Sequence, residues 1–300
     1  MGLEHWADMF RFNKELLDDD FTMDQNLTMK VKSKSTDGKS EGQITYKQSK
    51  PNKDNGSCKQ ALESKLKTDI GCCKMEGVLK ESGFVSGEMK EAVKQVKGLT
   101  LVGFFSATTG ETNNNLEARP GVEFANDKVK AKLNVDLTKK GLTELNAGVN
   151  ALPELFFGAN VVFDPRVSRV TKYDAGYILH PAENLTVSSR HESTDAKDYN
   201  IGKIIGLMQH KADANNILGA DFTYIWKEKK LSSRFGVKHT FTKDTTGKLR
   251  VDQDGKLAAA LRTKLGSSST LIVNGQIDVK DMKATNSAPL PLGFGLEFNF

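Results

Sequence analysis

A chain of 300 residues can form one or two globular domains or one large barrel. Its hydrophobic fraction is 38%, its mean hydropathy is -0.45, and no apolar run approaches the ~20 residues of a spanning helix; this excludes a helical membrane protein but not a barrel of alternating strands. The 43 Lys and Arg against 38 Asp and Glu give a formal +5, spread along the chain in alternation with apolar residues, unlike the clustered basic stripe of a nucleic-acid binder.

In chain order, Leu3, Trp6, Met9, Phe10, Phe12, Leu16 and Leu17 recur mostly every three or four residues over positions 2 to 17, which predicts an amphipathic helix. Asp18, Asp19 and Asp20 follow at its C-terminal end, where the macrodipole disfavours negative charge, and are expected to terminate it. Met1 to Phe10 resembles neither a secretory signal nor an Arg- and Ser-rich presequence, so targeting information is expected inside the folded chain.

From Leu27 the period becomes two. Leu27, Met29 and Val31 alternate with Thr28, Lys30 and Lys32, and the turn Thr36-Asp37-Gly38-Lys39 leads to Gln43-Ile44-Thr45-Tyr46, a predicted hairpin. Lys47 to Gln60 reads as a polar loop. Residues 61 to 97 alternate weakly, and Lys80 to Val96 fits a helix by composition; strands are assigned there because both flanks are strands. Clear alternation resumes at Leu99, Leu101, Gly103 and Phe105 and continues through Val129 to Leu137, Ala159 to Phe163, Tyr173 to Leu179, Leu218 to Trp226, Phe235 to Phe241, Leu257 to Leu265 and Leu271 to Val279. Each run is roughly nine or ten residues, the length a tilted strand needs to cross a bilayer. All seven prolines are expected between these runs or at their ends, because an interior strand cannot lose a ladder donor.

The last stretch is the most regular. In Leu292 to Phe300, Leu292, Phe294, Leu296, Phe298 and Phe300 share one face, and Gly293, Gly295, Glu297 and Asn299 the other. The chain thus reads as one all-β domain with an N-terminal helix. Alternating strands also build soluble sandwiches and lipocalin-like barrels. Against these stand the number of strands, the small and polar residues where a sandwich core needs large ones, and the lack of a second apolar layer.

No catalytic constellation emerges, so no enzyme and no cofactor is expected. His5, His180, His191, His210 and His239 lack metal-ligand spacing, and neither a nucleophile elbow nor a phosphate loop is present. His239, on an apolar face, is expected to be packed or interfacial. Cys58, Cys72 and Cys73 fit neither a disulfide framework nor a zinc site.

These residues resemble the voltage-dependent anion channel family, the mitochondrial porins. LGFGLEFNF at Leu292 to Phe300 is similar to the family's closing strand and sorting signal, for which Leu292, Gly293, Phe294, Gly295, Leu296 and Phe298 are the matching positions. Trp6-Ala7-Asp8-Met9 resembles the start of the family's pore helix, and Ser168-Arg169-Val170-Thr171, Ser233-Arg234-Phe235-Gly236 and Thr28 to Tyr46 match further strands. The resemblance implies a transmembrane β-barrel of about 19 strands over residues 25–300, with residues 1–24 as the N-terminal amphipathic helix, inside the pore, and its linker. An odd count makes the first and last strands pair in parallel, Leu292 to Phe300 against Leu27 to Ser33.

It further implies a voltage-gated, weakly anion-selective diffusion channel of the mitochondrial outer membrane, passing small anionic metabolites, nucleotides and ions. If lipid contacts Met29, Val31, Ala131, Leu133, Phe235 and Leu261, the lumen receives Lys30, Lys32, Lys130, Lys132, Lys172, Lys238, Arg262 and Lys264 as the candidate anion-attracting set. Arg11 and Lys14 are the matching basic positions of the pore helix. Implied partners are the lipid bilayer, the outer-membrane assembly machinery, and further copies of the chain or other mitochondrial membrane proteins, with no nucleic acid. The chain departs from the family at Pro291, at Gly98-Leu99-Thr100, which loses a pore-facing lysine, and at Asp19, where lysine is usual; a membrane-facing glutamate of some members would fall near Glu76. Rival readings are the pore subunit of the outer-membrane protein translocase and a non-conducting barrel scaffold in a mitochondrial membrane complex.

Overall fold

The computed structural model describes residues 12–21, 25–49, 58–70, 73–108, 115–139, 141–193, 202–279 and 292–300. Period-two alternation becomes nineteen strands. The first nine are β1 (Gln25–Lys34), β2 (Ser40–Ser49), β3 (Gln60–Ile70), β4 (Cys73–Lys80), β5 (Phe84–Ala92), β6 (Leu99–Thr108), β7 (Asn115–Ala125), β8 (Val129–Asp136) and β9 (Leu142–Leu152). The next five are β10 (Leu155–Asp164), β11 (Arg169–Ala182), β12 (Leu185–Ser193), β13 (Lys203–Lys211) and β14 (Asn216–Ile225). The last five are β15 (Lys230–Thr242), β16 (Thr245–Asp252), β17 (Lys256–Lys264), β18 (Ser269–Asp278) and β19 (Leu292–Asn299). Among the described residues, one helical turn, α1 (Lys14–Leu17), precedes them.

Sequence neighbours pair around a single nineteen-stranded sheet, and β1 also pairs with β19, so the strand order closes on itself as in a β-barrel. The closing ladder is parallel and runs from Leu27 opposite Phe294 to Lys32 opposite Asn299, as the odd strand number requires. The chain divides into two compact units, one containing Leu66–Leu207 and Phe222–Leu231, the other Phe12–Lys65, Met208–Asp221 and Ser232–Phe300.

In both units one face of the sheet is apolar and exposed. Phe105 and Leu116 in the first unit, and Phe235, Phe241 and Leu261 in the second, are 43–65% exposed. Covering a large apolar side chain is worth about 1.5–3 kcal/mol, and a face this extensive exceeds what soluble monomers leave uncovered. The opposite face carries Lys, Arg, Asp and Glu. His239, on the apolar face, hydrogen-bonds Asn216 at 2.7 Å and meets the Phe241 ring edge-on at 4.6 Å, the packed arrangement expected of it.

Two expectations are corrected, and a third lies partly outside the described residues. The amphipathic helix expected over residues 2 to 17 is not confirmed: residues 2–11 lie outside the described residues, and within residues 12–17 the helical ones are Lys14–Leu17. Asn13 spends its amide on the carbonyls of Met208 and Ala220, both at 2.9 Å, rather than on capping. Pro120 lies inside β7 rather than at a strand end, opposite Gly103. The β7–β8 register runs from Gly121–Asn134 to Ala125–Lys130, so the missing N–H falls just past the end of that ladder. Glu76 lies in β4, on the face opposite exposed Met75 and Leu79, and pairs with Lys67 at 3.1 Å. It sits among the polar side chains. Residues 73–80 and 84–92 are strands, as their flanks demand, although Lys80 to Val96 fits a helix by composition.

Candidate functional site

A dense charge arrangement surrounds residues 12–21, in the second unit. Leu16 and Leu17 are 1% exposed and reach the sheet where it has no side chains: a Cβ on Gly219 would collide with Leu16, and one on Gly236 would come within 2.6 Å of Leu17. Phe21 is buried with Ala258 and Ala260, under the Arg250 guanidinium 4.9 Å from its ring centre. Backbone carbonyls of the segment are taken by side chains of the sheet: Gln209 donates to Phe12 at 2.9 Å, Arg250 to Leu17 at 2.7 Å, and Lys248 to Glu15 at 2.5 Å. The apolar side chains thus anchor the turn, and its carboxylates are left to face cations.

Each carboxylate contact is specific. Glu15 accepts from Lys238 of β15 at 2.5 Å. The Lys238 ammonium holds the Glu15 carboxyl below the usual carboxylate range, against the partial burial that pushes it up. Asp18 lies 2.6 Å from Arg234, which also forks onto Asp221 of β14. Asp20 lies 2.8 Å from Lys248 and 3.0 Å from Arg262, and Arg262 continues to Glu297 of β19, itself 3.4 Å from Lys30. The Asp20 backbone is left-handed, φ 72°, a conformation that Asp tolerates better than most residues.

Glu15, Asp18 and Asp20, with Lys238, Lys248, Arg262, Glu297 and Lys30 but without Arg234 and Asp221, line a cavity of about 920 Å³ that has eight basic and six acidic side chains. Four of the acids and one lysine come from residues 14–20; the strands alone supply seven bases and two acids.

The expected basic residues fall into several situations. Lys30, Lys32, Lys238 and Arg262 come together in this cavity with Lys14, which is exposed; Arg11 lies outside the described residues. Lys130 pairs with Glu123 at 3.8 Å and Lys132 with Glu88 at 3.4 Å, both in the first unit. Lys172 lines a separate polar cavity of about 430 Å³ in that unit with Arg119, Asp136, Asp174 and Arg190. Lys264 is exposed at the end of β17. Leu292, Gly293, Phe294, Gly295, Leu296 and Phe298 form the seam strand β19. Sequence reasoning missed Lys248, Arg250 and the role of the Asp18–Asp20 run. The alternation of Lys248, Arg250 and Asp252 with Leu249 and Val251 was the available signal.

A sequence model of the eukaryotic porin family matches residues 5–287. The chain belongs to that family. Among curated proteins it is similar to mitochondrial outer membrane protein porin 4 of Oryza sativa subsp. japonica, 25% identical over 174 residues covering 57% of this chain and 52% of that protein. It is also similar to porin 1 of the same organism, 25% identical over 162 residues, 53% of this chain and 56% of that protein. The mitochondrial outer membrane protein porin of 36 kDa of Solanum tuberosum is 21% identical over 179 residues, 59% of this chain and 61% of that protein. The chain therefore spans half to three-fifths of the length of these relatives. Among solved structures, a mutant porin of Rh. blastica superposes with a TM-score of 0.49 at 6% identity, covering 78% of this chain and 90% of that one.

Proposed function

We propose that the chain is a voltage-gated, weakly anion-selective diffusion channel of the mitochondrial outer membrane, passing metabolites, nucleotides and ions. The observation that carries this reading is the closed strand order, with an exposed apolar face for lipid and a charged opposite face for water. Family and fold indicate a channel rather than an enzyme, and the relatives carry the mitochondrial outer membrane in their names. The small basic surplus around the cavity supports a weak preference, further moderated by a Debye length of ~8 Å at physiological salt.

In this reading residues 1–24 are the pore segment and 25–300 the barrel. Arg11, Lys14 and the eight strand cations Lys30, Lys32, Lys130, Lys132, Lys172, Lys238, Arg262 and Lys264 tune permeation. The β19 residues Leu292, Gly293, Phe294, Gly295, Leu296 and Phe298 form the address read by the outer-membrane assembly machinery. Planar-bilayer recording in asymmetric KCl tests the proposal. A voltage-dependent conductance with a modest anion-directed reversal potential is expected; a protein that inserts without conducting would overturn it. Deleting residues 1–20 is expected to change conductance and voltage response, and unchanged recordings would remove the gating role of the segment.

A further inference from the structure

Another cavity of the second unit lies on the apolar face of β15 to β18 and has a volume of about 530 Å³, within the range of small-molecule sites. Small side chains make its floor. Gly247 of β16 stands between His239 of β15 and Leu261 of β17, and Ala259 of β17 stands between Leu249 of β16 and Gly275 of β18. Among the lining residues of the apolar face, His239 alone carries a polar side chain. Its ring is held by two neighbours. Phe241 meets it edge-on at 4.6 Å and leans over Gly247, where a Cβ would come within 2.7 Å of the Phe241 ring, and Asn216 bonds its Nδ1 at 2.7 Å.

The tautomer of that ring follows from its partners. Asn216 donates its amide Nδ2 to Asp213 at 2.7 Å, and the backbone N–H groups of Asn215 and Asn216 reach the same carboxylate at 2.7 and 2.8 Å. The Asn216 amide first, and the two backbone donors with it, hold the Asp213 carboxyl below its ordinary range. An ionised Asp213 only accepts, so the Asn216 amide oxygen is left for His239. His239 Nδ1 therefore carries the hydrogen, and Nε2 remains as an acceptor on the cavity wall. We propose that this cavity binds a neutral acylglycerol of the surrounding bilayer, its acyl chain laid over Gly247, Ala259 and Gly275 and its free hydroxyl donating to His239 Nε2. A phosphodiester headgroup has no hydrogen to give from its phosphate, and no lining residue of the apolar face is cationic. A chain without a hydroxyl leaves Nε2 unpaired away from water, a loss that a hydroxyl removes. The floor is bent: it steps obliquely from Gly247 to Ala259 and then passes directly across to Gly275, a path for a flexible chain rather than for a rigid fused-ring plate. The proposal takes from the channel reading only that the apolar face meets lipid.

The test is photolabelling of the protein in liposomes with a diazirine-bearing monoacylglycerol, with monoolein, methyl oleate or cholesterol as competitors and the crosslinked peptides mapped by mass spectrometry. Methyl oleate has the chain of monoolein without a hydroxyl to donate. The label is expected on β15 to β18, and monoolein is expected to displace it at an about tenfold lower concentration than methyl oleate, with cholesterol ineffective. His239→Phe keeps a ring beside Phe241 and removes the acceptor; it should weaken monoolein about tenfold and bring it level with methyl oleate. Ala259→Leu fills the floor and should abolish the labelling while His239, Asn216 and Asp213 stay in place. Labelling spread evenly over the lipid face, equal competition by monoolein and methyl oleate in the wild type, or displacement by cholesterol as effective as that by monoolein would each overturn the proposal. Both variants put an apolar side chain on an apolar face, so the barrel should survive; if circular dichroism shows that one does not fold, the other decides, and unchanged binding in it also overturns the proposal. Specific labelling of a protein that inserts without conducting would refute the channel and leave the site standing.

Discussion

The Asp20 carboxylate meets the Lys248 ammonium at 2.8 Å with both side chains more than nine-tenths buried, on a sheet face that is otherwise wet and charged. Breaking a buried pair from one side leaves an uncompensated charge, a loss of roughly 3 kcal/mol or more, whereas removing both partners is much milder. Asp20→Asn and Lys248→Met are each expected to lower the denaturation midpoint in detergent, and the double variant to recover most of the loss. Additive losses would show that the two groups do not act as a pair.

The same segment has a defined pH response. The Glu15 carboxyl titrates below its ordinary value of 4.5 because of Lys238, with Lys248 adding attraction and Asp20 opposing it. A depressed folded-state value contributes stability that is present above the unfolded value and is lost as pH falls through the folded one. Attachment of residues 12–21 should therefore be constant from neutral pH down to about the ordinary glutamate range and weaken below it. Protease susceptibility of the segment against pH reads this out. Glu15→Gln is expected to remove its share of the response, and an identical profile in that variant would assign it to other carboxylates.

Much of this architecture was legible, for a physical reason. A sheet with lipid on one face and water on the other writes a period of two along every strand, so β1, β8, β15 and β17 to β19 were readable, and the parallel β1–β19 seam follows from an odd count. Residues 73–92 were poorly legible because Gly77, Gly87 and Cys73 stand where large apolar residues would have marked the lipid face. The site was half legible. Lys30, Lys238 and Arg262 were found by alternation, but alternation says nothing about which carboxylates face them. The Asp18-Asp19-Asp20 run reads locally as a helix terminator; its role in holding Lys248 and Arg262 comes from contacts more than 220 residues away in sequence.

Close approach rather than charge sets a third expectation. Leu17 sits against Gly236, where a Cβ would come within 2.6 Å of its Cδ2. Gly236→Ala should lift the turn from the sheet without disturbing β15, since an alanine is sterically ordinary in a strand. Thermolysin cleavage within residues 12–21 is expected to accelerate several-fold while the strand signature in circular dichroism is retained. Unchanged cleavage would mean that the leucines move aside at little cost.

The seam gives the last expectation. Phe298 lies on the apolar face of β19, opposite Ser269 of β18 on one side and Val31 of β1 on the other, and its ring stacks on Phe300 at 6.3 Å. Aspartate there would place a charge on the lipid face, a penalty of up to about 2 kcal/mol that rises towards the midplane, and would remove an aromatic from the proposed sorting signal. These two effects are separable. Phe298→Asp and Leu296→Asp should both fail to reach the outer membrane in isolated mitochondria, yet a refolded Phe298→Asp barrel should still insert into liposomes, because the ladder hydrogen bonds of β19 are backbone bonds that the substitution leaves in place. Phe298→Leu keeps the face apolar and should import normally if hydrophobicity is what the machinery reads; import of the aspartate variants at wild-type rates would locate the address outside β19.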